Sequence, residues 1–306
     1  MKVSIGGNTL RLKISNELSF QPLYIRSVYI AYITDAFAIY TKSAKYLQFS
    51  KQYAVKIPAG KAVWSDGLLF DLRPLSRLSI TINYIKVPRI ATVHMGSCTT
   101  SYILQGVTDA HTDFAKSFKE NHRFNIAGID VCDDSARCIA IIGNSITDGK
   151  CSTNNAQNRW PDILAEPLQD KYNVKDLGIG NNRVTLPGGF GYVARKRFDH
   201  DILGQSGIQS VVIFEGVNDI AASKGNGETV VRKLIESYIE MIRKAKDHHL
   251  KVYLGTITPF LGSGVYSVSH EATREEVNDW IRSQKDKVDG ILDFDRLLSN
   301  PLDPIG

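Results

Sequence analysis

The sequence predicts an α/β protein built in two parts: an all-β sandwich over residues 1–128 and a three-layer α/β/α sandwich with a parallel sheet over 136–306. Three observations carry this. The first part alternates apolar and polar residues with a period of two, which marks strands buried on one face. The second part alternates short, continuously apolar runs with longer amphipathic stripes, the pattern of strands covered by helices on both sides. Between them, Asp130 to Arg137 has the polarity of a linker.

In the first part, Leu10, Leu12 and Ile14 alternate with Arg11, Lys13 and Ser15, and Leu78, Ile80, Ile82 and Tyr84 alternate with Ser79, Thr81 and Asn83. Gly6-Gly7, Pro58-Ala59-Gly60 and Ser65-Asp66-Gly67 supply turns. No helical stripe of useful length precedes residue 110, so several short antiparallel strands forming a sandwich are expected. In the second part, Cys138 to Ile142 reads as the first buried strand and Trp160 to Tyr172 as a helix, with Pro161 in its first turn. Ser210 to Phe214 and Val252 to Leu254 are further strands, and Ile291-Leu292 begins another. Val231, Leu234, Ile235, Tyr238, Ile242 and Ala245 make a helical stripe, and Glu271 to Ser283 a second helix.

Composition narrows the function. Hydrophobic residues make up 43% and charged residues 23% of the 306, values of a folded globular chain. A formal net charge of +5 without a dense Lys/Arg block argues against nucleic acid as partner. No apolar run reaches membrane-spanning length. The opening MKVSIGGNTLRLKIS has no apolar segment of the kind a signal peptide carries. Cys98, Cys132, Cys138 and Cys151 form no CxxC pair and no Cys/His metal spacing; one disulfide among them is open, without an assigned pairing. Nothing points to a cofactor or a metal.

Gly143-Asn144-Ser145-Ile146-Thr147-Asp148-Gly149 follows the first buried strand directly. Ligands on open α/β sheets bind beyond the carboxyl ends of strands, so Ser145 stands where chemistry is done. A phosphate-binding loop is excluded, because five residues separate the glycines and Cys151 follows Lys150. The GxSxG elbow of α/β-hydrolases occurs nowhere in the chain. What remains is either a nucleophile turn or a plain polar strand-to-helix turn.

GNSITDG resembles the first motif block, GDSITDG, of the SGNH (GDSL-like) hydrolases. Further segments resemble later blocks in family order: Asp176-Leu177-Gly178-Ile179-Gly180-Asn181-Asn182-Arg183 the second, and Glu215-Gly216-Val217-Asn218-Asp219 the GxND pattern of the third. Thr258-Pro259-Phe260 with Arg274, Val277, Asn278 and Trp280-Ile281-Arg282 resembles the approach to the last block. The segments SIGGNTLRLKISNE and IPAGKAVWSD are similar to the β-domain of a branch of arylesterases and acylhydrolases encoded near xylanase genes in gut and rumen bacteria.

The resemblance implies a flavodoxin-like SGNH sandwich and serine ester hydrolysis, with a small-molecule or polysaccharide ester, foremost an acetylated plant glycan, as substrate. Ser145 is the implied nucleophile, and the Asn218 side-chain amide and the Asn181 backbone N–H the implied oxyanion donors, with Gly180 as the alternative to Asn181. Asn144 replaces the family's usual Asp and is expected to keep the turn's shape and acceptor. Donation from Asn181 requires a conformation open to Asn if φ is positive.

The family's closing D-x-x-H is not found. The residues three positions before the seven histidines are Ala91, Thr108, Lys119, Arg197, Ala245, Lys246 and Ser267. The resemblance therefore implies a parent chain longer at both ends, exported to the periplasm or exterior. These 306 residues alone are expected to be nearly inactive on aryl acetates. The competing class is a catalytically dead glycan-binding protein. In that class the β-domain acts as a carbohydrate-binding module through aromatics such as Trp64 or Tyr53, unless these fill a core or an interface. His94 is a lone histidine open to a structural or a site role.

Overall fold

A computed structural model describes residues 1–133, 135, 137–169 and 171–299. The chain divides into two compact units: Met1–Ala136 with Cys151–Asn158 and Asp162–Asn173, and Arg137–Lys150 with Arg159–Pro161 and Val174–Gly306.

The first unit is antiparallel β. Its strands are β1 (Gly7–Ser15), β2 (Leu23–Tyr32), β3 (Lys45–Leu47), β4 (Val55–Ile57), β5 (Ala62–Trp64), β6 (Leu68–Leu72) and β7 (Leu78–Lys86), followed by β8 (Val93–His94), β9 (Ser101–Ile103), β10 (Phe118–Glu120), β11 (Arg123–Phe124) and β12 (Ile126–Val131). One four-stranded sheet centres on β1, which pairs β12, β5 and β6; another centres on β2, which pairs β3, β4 and β7. The alternation in β1 has the expected result: Leu10, Leu12 and Ile14 are buried and share one core with Leu23, Ile25, Val28 and Ile30 of β2. Facing sheets with interdigitated apolar rows are the sandwich arrangement. Trp64 is half-buried with the Arg11 guanidinium 4.3 Å from its ring centroid, so that face is covered. Tyr53 is exposed and packs edge-on to Tyr46 at 6.0 Å. His94 Nδ1 meets Arg123 Nη2 at 2.9 Å. No disulfide links the four cysteines.

The second unit holds a five-stranded sheet of β13 (Arg137–Gly143), β14 (Tyr172–Gly178), β15 (Ile208–Phe214), β16 (Lys251–Gly255) and β17 (Gly290–Leu292), in the spatial order β14-β13-β15-β16-β17. The pairs β13–β15, β15–β16 and β16–β17 are parallel. This is the flavodoxin-like order, whose switch point lies between the first and third strands, here β13 and β15. The helices are α1 (Ser145–Asp148), α2 (Trp160–Leu168), α3 (Ala194–Phe198), α4 (Val217–Ala221), α5 (Gly227–Asp247), α6 (Val268–Ser283) and α7 (Phe294–Leu298). On one face of the sheet Ala140, Ile142, Val211, Ile213, Val252 and Leu254 pack with Val231, Leu234, Tyr238, Met241 and Ala245 of α5. On the other, Phe214 meets Phe294 at 4.7 Å and Trp160 at 6.2 Å between ring centroids.

Three expectations are corrected. The helix from Trp160 ends at Leu168, one residue after the internal Pro167, and Tyr172 instead opens β14. The run Ile291-Leu292 closes a strand rather than opening one, because Asp293 caps α7 by accepting from Arg296 N. The polar stretch from Asp130 is shorter than expected, since β12 continues to Val131, paired with Leu10 of β1.

Candidate active site

Three loops leave the carboxyl ends of β13, β14 and β15. Gly143 is in register with Phe214, so the turns that follow them start side by side at the switch point. Ser145 is the first residue of α1, half-buried, two residues beyond β13. Asn144 is the cap: its Oδ1 accepts from Ile146 N at 2.9 Å, the acceptor role expected of it. Being first in the helix, Ser145 N has no intrahelical partner, and neither it nor Oγ makes a hydrogen bond among the described residues. Gly149 ends the turn in the left-handed region at φ 93°.

The second loop is pressed against the first. A Cβ on Gly178 would lie 2.2 Å from Asp148 N, so only glycine allows this approach. Asp148 Oδ2 then accepts from Gly180 N at 2.8 Å. The N–H of Gly180, the alternative donor, is thus committed to Asp148. Asn181 follows at φ 53°, in the left-handed region that Asn tolerates, and its own N–H has no partner among the described residues. Asn182 N closes the turn on Ile179 O at 3.1 Å. Asn218, half-buried at the start of α4, donates one Nδ2 proton to Asn182 O at 2.8 Å, leaving the second uncommitted. Ser145, Asn181 and Asn218 thus belong to three turns joined in series by direct contacts.

Beneath these turns lies a polar network that sequence reasoning missed. Arg197, 4% exposed, donates to Gly143 O at 3.1 Å, Leu177 O at 2.8 Å, Asn182 Oδ1 at 3.1 Å and Asp201 Oδ2 at 3.0 Å. One guanidinium therefore binds the ends of β13 and β14 and the second loop together. Its planar fork of donors suits this task as an ammonium would not. Glu215, fully buried at the end of β15, lies 3.6 Å from Arg197 Nη2. Neither of its oxygens makes a hydrogen bond of full geometry, though the Asn144 side chain and the Gly216 backbone N–H lie beside it. Burial pushes its carboxyl up to about 8, against the pull of Arg197 and with a push from Asp219. We read it as protonated near neutral pH.

Asp219 is wholly buried and accepts from Val184 N at 2.7 Å, Thr185 N at 2.9 Å, Leu186 N at 3.2 Å and Thr185 Oγ1 at 2.8 Å. It shapes the segment after the second loop rather than reacting. Asn278 performs the same service after β16: its Oδ1 accepts from Ile257 N at 2.7 Å and its Nδ2 donates to Ile257 O at 2.8 Å.

His200 contacts Asp201 at 2.7 Å, but it lies in a π-helical turn leading to the amino end of β15, the opposite edge of the sheet from Ser145. His270 is near the start of α6 with Nδ1 on Val265 O at 2.7 Å. Among the described residues no cluster of His, Cys, Asp and Glu is arranged to hold a metal ion, and no helix is long and apolar enough to cross a membrane.

A parallel sheet in flavodoxin-like order, with a serine turn at its switch point and an asparagine turn beside it, defines a class of hydrolase. The chain belongs to the GDSL-like lipase/acylhydrolase family, whose model matches residues 141–305. No curated protein matches it. Similar solved structures include a carbohydrate acetylesterase family member from Sinorhizobium meliloti, 15% identical over 55% of this chain and 88% of that one with a TM-score of 0.45. A GDSL-like lipase from Bacteroides thetaiotaomicron is 20% identical over 54% and 71%, with a TM-score of 0.39. AlinE4, an SGNH-hydrolase family esterase, is 13% identical over 56% and 82%, with a TM-score of 0.42.

Proposed function

We propose that this chain carries the nucleophile and oxyanion donors of a serine ester hydrolase that removes acyl groups, foremost acetyl, from a carbohydrate. One observation carries the reading: Ser145 N–H, Asn181 N–H and the second Asn218 N–H are all uncommitted in three turns joined in series beyond the carboxyl ends of neighbouring strands. Donors left unpaired at neighbouring strand ends suit a negative charge that exists only in the transition state.

Ser145 Oγ attacks the ester carbonyl while a base takes its proton. The carbonyl electrons move onto oxygen, which the three donors hold. Collapse expels the alcohol, which recovers a proton, and water repeats the sequence on the acyl-serine. Arg197 and Asp148 keep the donor turns in place without touching substrate.

No histidine here follows an Asp by three positions. A nucleophilic serine deprived of its histidine loses about 10⁶ in rate, as in subtilisin. We therefore expect the 306 residues to hydrolyse p-nitrophenyl acetate barely above buffer, and any slow turnover that remains to depend on the hydroxyl of Ser145. Ser145→Ala should remove that activity. Ordinary esterase rates from the 306 residues, lost on Ser145→Ala, would show that another residue serves as base, with His270 the first to replace.

A further inference from the structure

Between the second loop and α3 the chain makes a tight excursion, Leu186-Pro187-Gly188-Gly189-Phe190-Gly191-Tyr192-Val193. Its two aromatic rings are turned outward, with Phe190 59% and Tyr192 68% exposed. Two exposed aromatics on either side of one glycine are candidate contact surface where they border a site. The backbone beneath them is held firmly. The Asn182 side-chain amide, buried, donates to Phe190 O at 2.8 Å and to Tyr192 O at 2.9 Å. Asn182 is itself held by Arg197. Gly191 turns between the two rings at φ 63° against Ile179.

The excursion also lies directly on the donor turn. A Cβ on Gly189 would be 2.2 Å from Asn181 O, and a Cβ on Gly180 would be 3.9 Å from the Phe190 ring. Phe190 therefore borders the turn of Asn181, whose N–H the proposed mechanism uses, and Tyr192 follows one glycine later. Aromatic rings on a pinned backbone, with the exposed Asn181 and the Arg183 guanidinium that holds Pro187 O at 2.7 Å on the same excursion and turn, match one kind of ligand well. That ligand is a ring with an apolar C–H face and a hydroxylated edge.

We infer that Phe190 and Tyr192 form a sugar-binding platform that receives the pyranose ring carrying the scissile ester. This rests on the reading of Ser145 as nucleophile, because it places the sugar on the alcohol side of that serine's ester. The chemistry is stacking of ring C–H groups on the aromatic faces, with hydroxyls left for Asn181 and Arg183. Tyr and Phe lose little conformational entropy on binding, and a pinned backbone reduces the cost further.

The test is calorimetric titration with cellotetraose, xylotetraose and mannotetraose, each bare and acetylated. It uses the whole chain and its Phe190→Ala, Tyr192→Ala, Phe190→Leu and Ser145→Ala variants. At least one oligosaccharide should bind. Phe190→Ala and Tyr192→Ala should each weaken it about tenfold, the scale of one lost aromatic contact, and Phe190→Leu should weaken it too, because it keeps apolar area but loses the flat face. Ser145→Ala should bind as the parent does. Both aromatic positions are exposed, and unchanged melting temperatures will confirm that the variants fold. No binding of any oligosaccharide, or equal binding by the aromatic variants and the parent, overturns the platform. Failure of the nucleophile reading would show instead as a fluorophosphonate adduct that is absent from Ser145 or survives Ser145→Ala, with these affinities unaffected.

Discussion

Glu215 and Arg197 set the conditions under which the serine turn exists. A carboxyl whose folded value is about 8, against an ordinary 4.5, binds its proton more tightly in the folded state. Between those two values the unfolded chain has released the proton and the folded chain has not, so stability falls as pH rises through that window. Glu215→Gln removes this dependence. Melting curves of parent and variant should lie closest near pH 5, and the variant should gain steadily toward pH 8.5. A gap that is constant with pH would show that Glu215 does not titrate as described. Arg197 is the converse case. Removing a buried cation that satisfies three backbone or amide oxygens and faces two acids costs about 3–5 kcal/mol, so Arg197→Met should show a large loss in urea midpoint. Its effect on hydrolysis should exceed that of any surface arginine, such as Arg243, which pairs with Asp247 in solvent. No motif marks the role of Glu215 or Arg197. The available signals are a charge ending the apolar run Ile208–Phe214, and an Arg four residues before Asp201 on a segment whose Ala194, Phe198 and Ile202 are all buried. Both mean little until the fold brings the strand ends together.

At the scale of elements, the packing of α1 on β14 decides where Ser145 points. Gly178 admits the Thr147–Asp148 peptide at a distance no side chain allows. Gly178→Ala should therefore cost more than the roughly 1–3 kcal/mol of ordinary overpacking, and should reduce activity in the molecules that remain folded. Thermal melts and specific activity per folded molecule measure this; a variant with parental values in both would remove the close contact from the account. β14 itself is not legible in the sequence. It is an edge strand, Tyr-Asn-Val-Lys-Asp-Leu-Gly, in which only Val174 and Gly178 are buried, so it lacks the continuous apolar run of β13 and β15. For the same reason the sequence alone carries the preceding helix on to Tyr172. The central strands and α5 are legible because burial on both sides, or along one stripe, leaves a period that survives in one dimension.

For the molecule as a whole, the chain passes between its two units more than once. Residues 151–158, just beyond the serine turn, belong with the β unit. There Asn155 Oδ1 accepts from Thr100 N at 2.7 Å, Asn155 N donates to Cys98 O at 2.9 Å, and Gln157 Nε2 donates to Thr99 Oγ1 at 2.9 Å. A fragment ending at Ala136 lacks these partners. We expect it to melt below the β unit of the whole chain and to lose amide protection first around Cys98–Ser101. A fragment as stable and as protected as the whole would contradict that. Composition and periodicity make the two kinds of architecture readable, while this exchange of segments is not, because it rests on hydrogen bonds between polar loops that carry no period. The blocks around Ser145, Asn181 and Asn218 are readable because close approach and positive φ restrict which residues fit. The choice of Asn181 over Gly180 needs the Asp148 contact.

The account turns on Ser145 being the group that becomes acylated. Its most direct test is intact-mass and peptide-mapping analysis of the longest form its gene encodes after incubation with a fluorophosphonate, which traps a serine only when its hydroxyl is activated beside an oxyanion site. The account predicts one adduct per chain, mapped to Ser145 and missing from Ser145→Ala. No adduct, or an adduct on another residue that persists in Ser145→Ala, would contradict it.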